Sequence, residues 1–245
     1  MFYRYYIISL ACMVVCAIIG GWASNKVHSA YRRYDNMLNS SHMTGYDTAQ
    51  RLLRANGIRD IRVGRVQGSL TDHYHPKKKE VNLSERVYGN NSLAACAVAA
   101  HEIGHVVQER KGYFPYKIRN FLVTATNIGS RLALPLVVLG LILDVFVAAT
   151  QNSDVGFYLA IAGVALYGLS TLFALATLPV ELDASRRAKK MLLAEGILTE
   201  EEAPYAGKML SAAAMTYVAS LLVSLIYFLR FFLWVMMMFG NRRRD

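Results

Sequence analysis

Cysteine is scarce in this sequence, and the few that occur form no recognisable set. Only Cys12, Cys16 and Cys96 are present among 245 residues, two of them in an apolar run. An odd number without a Cys-x-x-Cys pair argues against a disulfide framework and against a zinc knot built from thiolates. The sequence therefore gives no indication of a disulfide-stabilised protein.

Charged residues are also few, and acidic ones are in the minority. Charged residues make up 18% of the chain and hydrophobic residues 54%, and 27 Lys and Arg against 17 Asp and Glu give a net charge of +10. A basic chain can bind nucleic acid, but the sequence has no nucleic-acid motif and its cations flank long apolar runs. The composition predicts a membrane protein without a nucleic-acid partner.

Four apolar segments predict membrane-spanning helices. They are Ile7–Ala23, Phe121–Ala149, Val155–Val180 and Ser211–Leu229. The first is interpreted as an uncleaved anchor, because only Arg4 precedes it and small residues for a cleavage site are nearly lacking. A further apolar stretch, Phe231–Gly240, is too short to cross a membrane alone; it either extends the last span or lies in the interface.

The distribution of basic residues predicts the orientation of these spans. The polar segment 24–119 carries 16 Lys and Arg against 8 Asp and Glu, whereas the loop Gln151–Asp154 carries none. Four spans would place 24–120 and 181–210 on one side, and the positive-inside rule makes that side cytoplasmic. The tail Arg242–Arg244 would then lie outside, against the rule.

Local patterns predict a mixture of short helices and strands in the first polar segment. In order, these are a helix opened by a capping box of Asp47 with Gln50 and ended at Gly57, a strand at Ile58–Val66, a turn-rich connection at Gly68–Lys79, a second strand at Glu80–Leu83 and a helix capped by Ser92. A second capping box, Thr199 with Glu202, follows a helix that leaves the membrane near Pro179 and ends near Gly196. The strand beside the Ser92-capped helix offers an edge for an extended peptide.

The apolar helix predicted at Leu93–Val107 contains the pattern His101-Glu102-Ile103-Gly104-His105. On a helix, residues four apart lie about 40° apart around the axis and about 6 Å apart along it. His101 and His105 can therefore share one ion, and Glu102 can reach a water bound to it. The alternative, two surface histidines without a function, is disfavoured, because a buried helix rarely carries polar side chains that lack a bonding partner. The pattern predicts zinc, with Glu102 as the catalytic base.

A zinc ion held by two histidines needs a third protein ligand. Glu181 and Asp183 both follow the third predicted span and emerge on the same side as the histidines. Either could ligate, although acidic residues at a helix start are also favoured by the helix dipole alone. His73 and His75 fit a polar turn better than a metal site. His73 or Tyr74 could still stabilise an oxyanion.

The chain resembles the YugP-type neutral zinc metallopeptidases of bacterial membranes. The matching segments are Asp72-His73-Tyr74, Leu83-Ser84-Glu85, Ala97 to His105, Asn127 to Ser130, Leu178 to Arg187 and Thr216-Tyr217-Val218. A more distant similarity is to the HtpX and CAAX prenyl protease group, whose third ligand is the glutamate of an E-x-x-A-D pattern. This implies Glu181 as ligand and leaves Asp183 to support a ligating histidine. Ser185 stands in place of the final aspartate.

The expected fold is a mainly α membrane protein with four transmembrane helices and a small α+β zincin-like catalytic domain built around the HExxH helix. The expected divisions are an anchor (1–23), a catalytic segment (24–120), two transmembrane helices (121–180), a helix carrying the third ligand (181–210), and a last transmembrane helix with a basic tail (211–245). Tyr217 joins His73 and Tyr74 as an oxyanion candidate.

The resemblance implies a multi-pass zinc-dependent endopeptidase of the bacterial inner membrane, and the distribution of basic residues predicts that its active site faces the cytoplasm. Its expected partners are membrane lipid and a peptide or protein substrate, membrane proteins included. Two alternatives remain. One is an intramembrane site-two-type protease, which Leu182-Asp183-Ala184 faintly resembles, although Leu93–Val107 is short for a span. The other is a membrane scaffold in which zinc is structural, and such a site is closed by four protein ligands.

Overall fold

The computed structural model describes residues 2–123, 126 and 155–240. These residues are mainly helical and include one small sheet. The elements are α1 (Phe2–Asp35), α2 (Gly45–Ala55), β1 (Arg62–Val66), β2 (His73–His75), a 3-10 turn (Pro76–Lys78), β3 (Glu80–Ser84), α3 (Glu85–Gly89), α4 (Leu93–Arg110), α5 (114–123), α6 (Val155–Ala194) and α7 (Ala203–Gly240).

Three helices of the described residues are long and apolar enough to cross a membrane. The qualifying stretches are Ile7–Asp35 in α1, Phe157–Ala194 in α6 and Ala203–Met237 in α7. The predicted span Phe121–Ala149, the loop Gln151–Asp154 and the tail Arg242–Arg244 lie wholly or almost wholly outside the described residues. The fourth span and the orientation derived from it therefore stay predictions.

Helices α6 and α7 are each continuous through segments that the sequence analysis predicted as separate. The helix predicted to begin near Pro179 does not begin there, because α6 continues through this proline from Val155 to Ala194. Glu181 and Asp183 consequently lie inside a helix and not at its start. Helix α7 likewise runs on through the apolar stretch Phe231–Gly240.

The chain divides into two compact units. One unit comprises Met1–Gly20, Ile118–Thr177 and Val218–Asp245, and its buried centre contains Ala160, Val164 and Val235. The other comprises Gly21–Lys117 and Leu178–Tyr217, and it contains the larger apolar core and the whole sheet. All residues of the candidate site belong to this second unit.

Capping boxes lie at the start of α2 and just before α7 in the second unit. The capping box predicted for Asp47 with Gln50 is wrong by one turn, since Thr44 is the N-cap and Asp47 its reciprocal partner. Thr44 is extended and the helix begins at Gly45, where a Cβ atom would lie 2.1 Å from the Val87 carbonyl oxygen. The other predicted box is confirmed, because Thr199 and Glu202 exchange hydrogen bonds of 3.0 and 3.3 Å.

The sheet has the order β1-β3-β2, with β1 parallel and β2 antiparallel to the central strand β3. The predicted strand Ile58–Val66 is shorter, because Ile58 and Ile61 are buried in the connection from α2. The turn-rich connection predicted at Gly68–Lys79 contains the strand β2. Three residues are too few for a visible alternation, so only their pairing with β3 reveals the strand.

Helix α4 lies in the middle of the apolar core of the second unit. Ser92 caps it as predicted, accepting a hydrogen bond of 3.1 Å from the Ala95 backbone nitrogen. Residues from Leu93 to Ala97, together with Ala99 and Ala100, are at most 1% exposed. Alanine and cysteine side chains let neighbouring elements approach this first half closely. The second half carries the histidines.

Candidate metal centre

His101 and His105 lie one turn apart on α4 and face the same way. Their ring centroids are 4.7 Å apart and the rings are nearly perpendicular. His105 is buried at 8% exposure, and His101 is half-buried. A helix of this length, held in the core on several sides, gives both imidazoles fixed positions.

Gly104 lets the backbone of α6 come close to these histidines. A Cβ atom at this position would lie 2.7 Å from the Ala184 carbonyl oxygen and 3.1 Å from the Ala184 Cα. No residue other than glycine fits this contact without a shift of backbone. The glycine between the two histidines is therefore a packing requirement for the α4–α6 contact.

Glu181 reaches the two histidines from α6. Its Oε2 atom lies 3.1 Å from Nε2 of His101 and 3.5 Å from Nε2 of His105. One donor atom from each of the three residues lies within 4.8 Å of the others, and Glu181 is only 1% exposed. This buried cluster is called the His–His–Glu cluster below.

The donor set of this cluster fits a catalytic zinc ion. Two imidazoles and one carboxylate are the protein ligands of one class of catalytic zinc site, which keeps a position for water. Both histidines direct Nε2 toward Glu181 and use Nδ1 in other hydrogen bonds. Such bonding of the distant ring nitrogen is usual for ligating histidines.

Gln108 fixes the tautomer of His105, a role that the sequence did not suggest. The side-chain nitrogen of Gln108 donates to the Val180 carbonyl at 2.7 Å and to the Asp183 carboxylate at 2.9 Å. Because both of these partners are acceptors, the amide oxygen must face His105 Nδ1, 3.0 Å away. His105 Nδ1 therefore carries the proton, and Nε2 presents its lone pair to the cluster. The only signal was a glutamine three residues after the second histidine.

Asp183 and Ser185 surround the cluster from α6. Asp183 does not join the cluster; it accepts from Gln108 and from Arg187 Nε. Its link to His105 passes through Gln108, which fits the expected supporting position. Ser185 Oγ lies 3.2 Å from His101 Nδ1, so the serine that replaces an aspartate still contacts the other histidine.

Glu102 follows His101 on α4 and lies beside the cluster. It is 7% exposed, and its carboxylate has no hydrogen-bond partner among the residues that the structure describes. Burial is the main cause that raises the pKa of Glu102 to about 7. A carboxylate with this property exchanges protons near neutral pH, as a general base must. Glu102 and His101 line one cavity.

The three oxyanion candidates lie in different surroundings. Tyr217 lines the same cavity as His101 and Glu102. His73 is exposed, and its Nδ1 lies 2.8 Å from the Thr71 carbonyl oxygen. The Tyr74 hydroxyl donates to Glu109. Of the three, Tyr217 has the best position for contact with a substrate, and the oxyanion role stays a prediction for all three.

Comparison with known proteins confirms the family that the motifs predicted. Residues 9–237 match the family described as "Putative neutral zinc metallopeptidase", and the chain belongs to this family. The "Putative membrane protease YugP" of Bacillus subtilis (strain 168) is 40% identical over 224 residues, which are 91% of this chain and 93% of that protein. No solved structure matches the chain. The relative's description and the three apolar helices indicate membrane association.

Proposed function

We propose that the chain is an integral-membrane, zinc-dependent metalloendopeptidase, and that its second unit is a zincin-like catalytic unit. The observation that carries this proposal is the His–His–Glu cluster with the unpartnered Glu102 carboxylate beside it. A structural zinc site would need a fourth protein ligand, and none of the other described His, Cys, Asp or Glu residues joins these three. Membership of a zinc metallopeptidase family supports the same conclusion.

In this proposal His101, His105 and Glu181 hold the ion, and Glu102 is the general base. When bound, zinc supplies Lewis acidity that acidifies water and polarises the scissile carbonyl. Glu102 accepts the proton of the attacking water and returns it to the leaving amine. Gln108 holds His105 in the ligating tautomer, and Ser185 orients His101. The edge of β2, next to α4, accepts the extended substrate backbone.

The test begins with the purified chain in detergent, its metal content, and hydrolysis of casein with and without a chelator. We expect one zinc per chain and chelator-sensitive cleavage. Cleavage restricted to membrane-spanning peptides would favour the site-two-type alternative. Stoichiometric zinc with four protein ligands by X-ray absorption, and no hydrolysis, would favour the structural-zinc alternative.

Two pairs of variants test the residue roles. Glu102→Gln should retain zinc and lose activity by about 10²–10⁴-fold, whereas Glu200→Gln, exposed in the turn before α7, should not. Glu181→Ala should lose zinc, whereas Glu195→Ala, directly after the end of α6 and paired with Arg51, should keep it. Full activity in Glu102→Gln, or stoichiometric zinc in Glu181→Ala, would remove the corresponding assignment.

We further propose that the catalytic unit faces the cytoplasm of a bacterial inner membrane. The excess of basic residues in 24–119 supports this orientation. Ser69 is exposed in the catalytic unit, so a Ser69→Cys variant can report its side. An impermeant maleimide should label it only after the cells are permeabilised, with the unsubstituted chain as background. Labelling in intact cells would reverse the orientation.

A further inference from the structure

A cavity of about 310 Å³ adjoins the candidate metal centre within the catalytic unit. His101 and Glu102 form part of its lining, so whatever occupies it lies next to the proposed reacting groups. Its other walls come from α1, from the turn before β2, from the first half of α4 and from α7. The volume is at the lower end of the range for small-ligand pockets, about 300–1,000 Å³, which suits one large side chain.

The walls of this cavity expose more apolar than polar surface, although His28, Thr216 and Tyr217 also line it. Six lining side chains are aliphatic or thioether: Val27, Leu70, Val98, Met209, Leu210 and Ala213. The acidic residue of the lining outside the catalytic motif, Asp72, accepts hydrogen bonds from the Ser84 backbone nitrogen at 2.7 Å and from its hydroxyl at 3.0 Å. An acid already partnered in this way does not make the cavity a cation site. The lining therefore selects an uncharged, apolar group.

One wall residue is held in a strained backbone conformation. Leu70 has φ of 56°, in the left-handed region that side chains of this kind rarely adopt. This conformation costs about 1–2 kcal/mol for a residue other than glycine. Leu70 nevertheless packs against the apolar core and lines the cavity. Strain that persists at the wall of a cavity beside a candidate site is typical of a functional position.

We propose that this cavity is the subsite for the substrate residue next to the scissile bond, and that it takes a large apolar side chain. The inference rests on the proposed peptidase function, because the bond to be cut must lie at His101 and Glu102. It adds the substrate class: polypeptides with leucine, methionine or phenylalanine beside the cleaved bond. Charged residues at that position are excluded by the loss of their hydration.

The first experiment measures kcat/KM for a series of peptides that differ only at the residue adjacent to the cleaved bond, with cleavage positions identified by mass spectrometry. Burial of a leucine-sized side chain should raise kcat/KM at least about 10-fold over alanine, and lysine or aspartate should give the lowest values. Equal values for alanine, leucine and lysine would overturn the proposal.

Variants that change the cavity in opposite directions sharpen the test. Ala213→Leu on α7 should narrow the cavity and shift the preference toward alanine, whereas Val98→Ala should widen it and favour phenylalanine. Ser211→Leu is the matched control, since Ser211 is exposed on α7 and does not line this cavity. Zinc content and thermal unfolding verify that each variant is folded. An unchanged preference in Ala213→Leu and Val98→Ala would overturn the assignment.

A binding measurement separates this inference from the proposed function. Fluorescence anisotropy of labelled peptides on the Glu102→Gln variant should show tighter binding of the leucine peptide than of the alanine peptide, and Ala213→Leu should abolish the difference. This preference without any hydrolysis by the unsubstituted chain would refute the peptidase and retain the subsite. A lipid retained stoichiometrically by the purified chain, and lost in Ala213→Leu, would instead assign the cavity to an acyl chain and overturn the proposal.

Discussion

Replacing Gly104 by alanine should open the contact between α4 and α6 on which the His–His–Glu cluster depends. The added Cβ would lie 2.7 Å from the Ala184 carbonyl oxygen, whereas ordinary contacts begin at 3.4 Å. The two backbones must therefore separate by about 0.7 Å at this point, because neither contacting atom belongs to a flexible side chain. Alanine at this position changes no group that could bind an ion.

This displacement is large compared with what a metal site tolerates. The histidines come from α4 and Glu181 from α6, and ligand distances must hold within about 0.2 Å. Overpacking costs about 1–3 kcal/mol, and alanine returns about 0.5–1 kcal/mol through its better helix propensity. We expect a net loss of about 1–2 kcal/mol in the free energy of unfolding, and at least about a 10-fold loss of zinc affinity.

The assay is competition for zinc with a fluorescent chelator, together with thermal unfolding of the purified chain in detergent. Gly207→Ala is the matched control, because the nearest atoms to its added Cβ are those of the Lys189 side chain, 3.9 Å away. The control should keep its zinc affinity and gain slightly in stability. Equal zinc affinities in Gly104→Ala and Gly207→Ala would refute the reasoning.

Three further predictions concern the surroundings of the cluster. Gln108→Leu should weaken zinc binding by about 10–100-fold, because His105 Nδ1 loses its acceptor. Gln50→Leu on α2 should leave zinc binding unchanged. Equal zinc affinities in the two variants would contradict the orienting role of Gln108. Glu202→Ala removes the acceptor of the Ser40 backbone nitrogen and hydroxyl. Thermal unfolding should therefore show a loss of about 1–2 kcal/mol in the free energy of unfolding, while zinc affinity stays constant. A changed zinc affinity would show that this contact is not independent of the metal centre. Zinc at about one hundred times its dissociation constant should raise the free energy of unfolding by about 2.7 kcal/mol, and the same gain in a chain without the Glu181 carboxylate would place the ion elsewhere.

The sequence predicted those parts of the site that lie within one helix. The spacing of His101 and His105 follows from helical geometry alone, and the Ser92 cap is a local interaction. The sequence could not decide whether Glu181 or Asp183 is the third ligand, because both are acidic and both follow the same span. They lie two residues apart on α6, where Glu181 reaches both histidines and Asp183 reaches Gln108. Only the packing of α6 against α4 separates the two roles.

The features that sequence reasoning missed depend on contacts between distant segments. Strand β2 exists because its backbone pairs with β3, and three residues leave no periodic signal. Gln108 gains its role only when Val180 and Asp183 are brought beside it, 72 and 75 residues further along the chain. None of these contacts is encoded in a short window of sequence.

The separation of the cluster's residues along the chain has a consequence for the protein's synthesis. His101 and Glu181 are 80 positions apart. A ribosome that adds about 5–20 residues per second reaches position 181 roughly 4–16 s after position 101. During that interval the nascent polypeptide has both imidazoles but lacks their carboxylate partner. The order of translation therefore delays the complete centre until most of the polypeptide has been made.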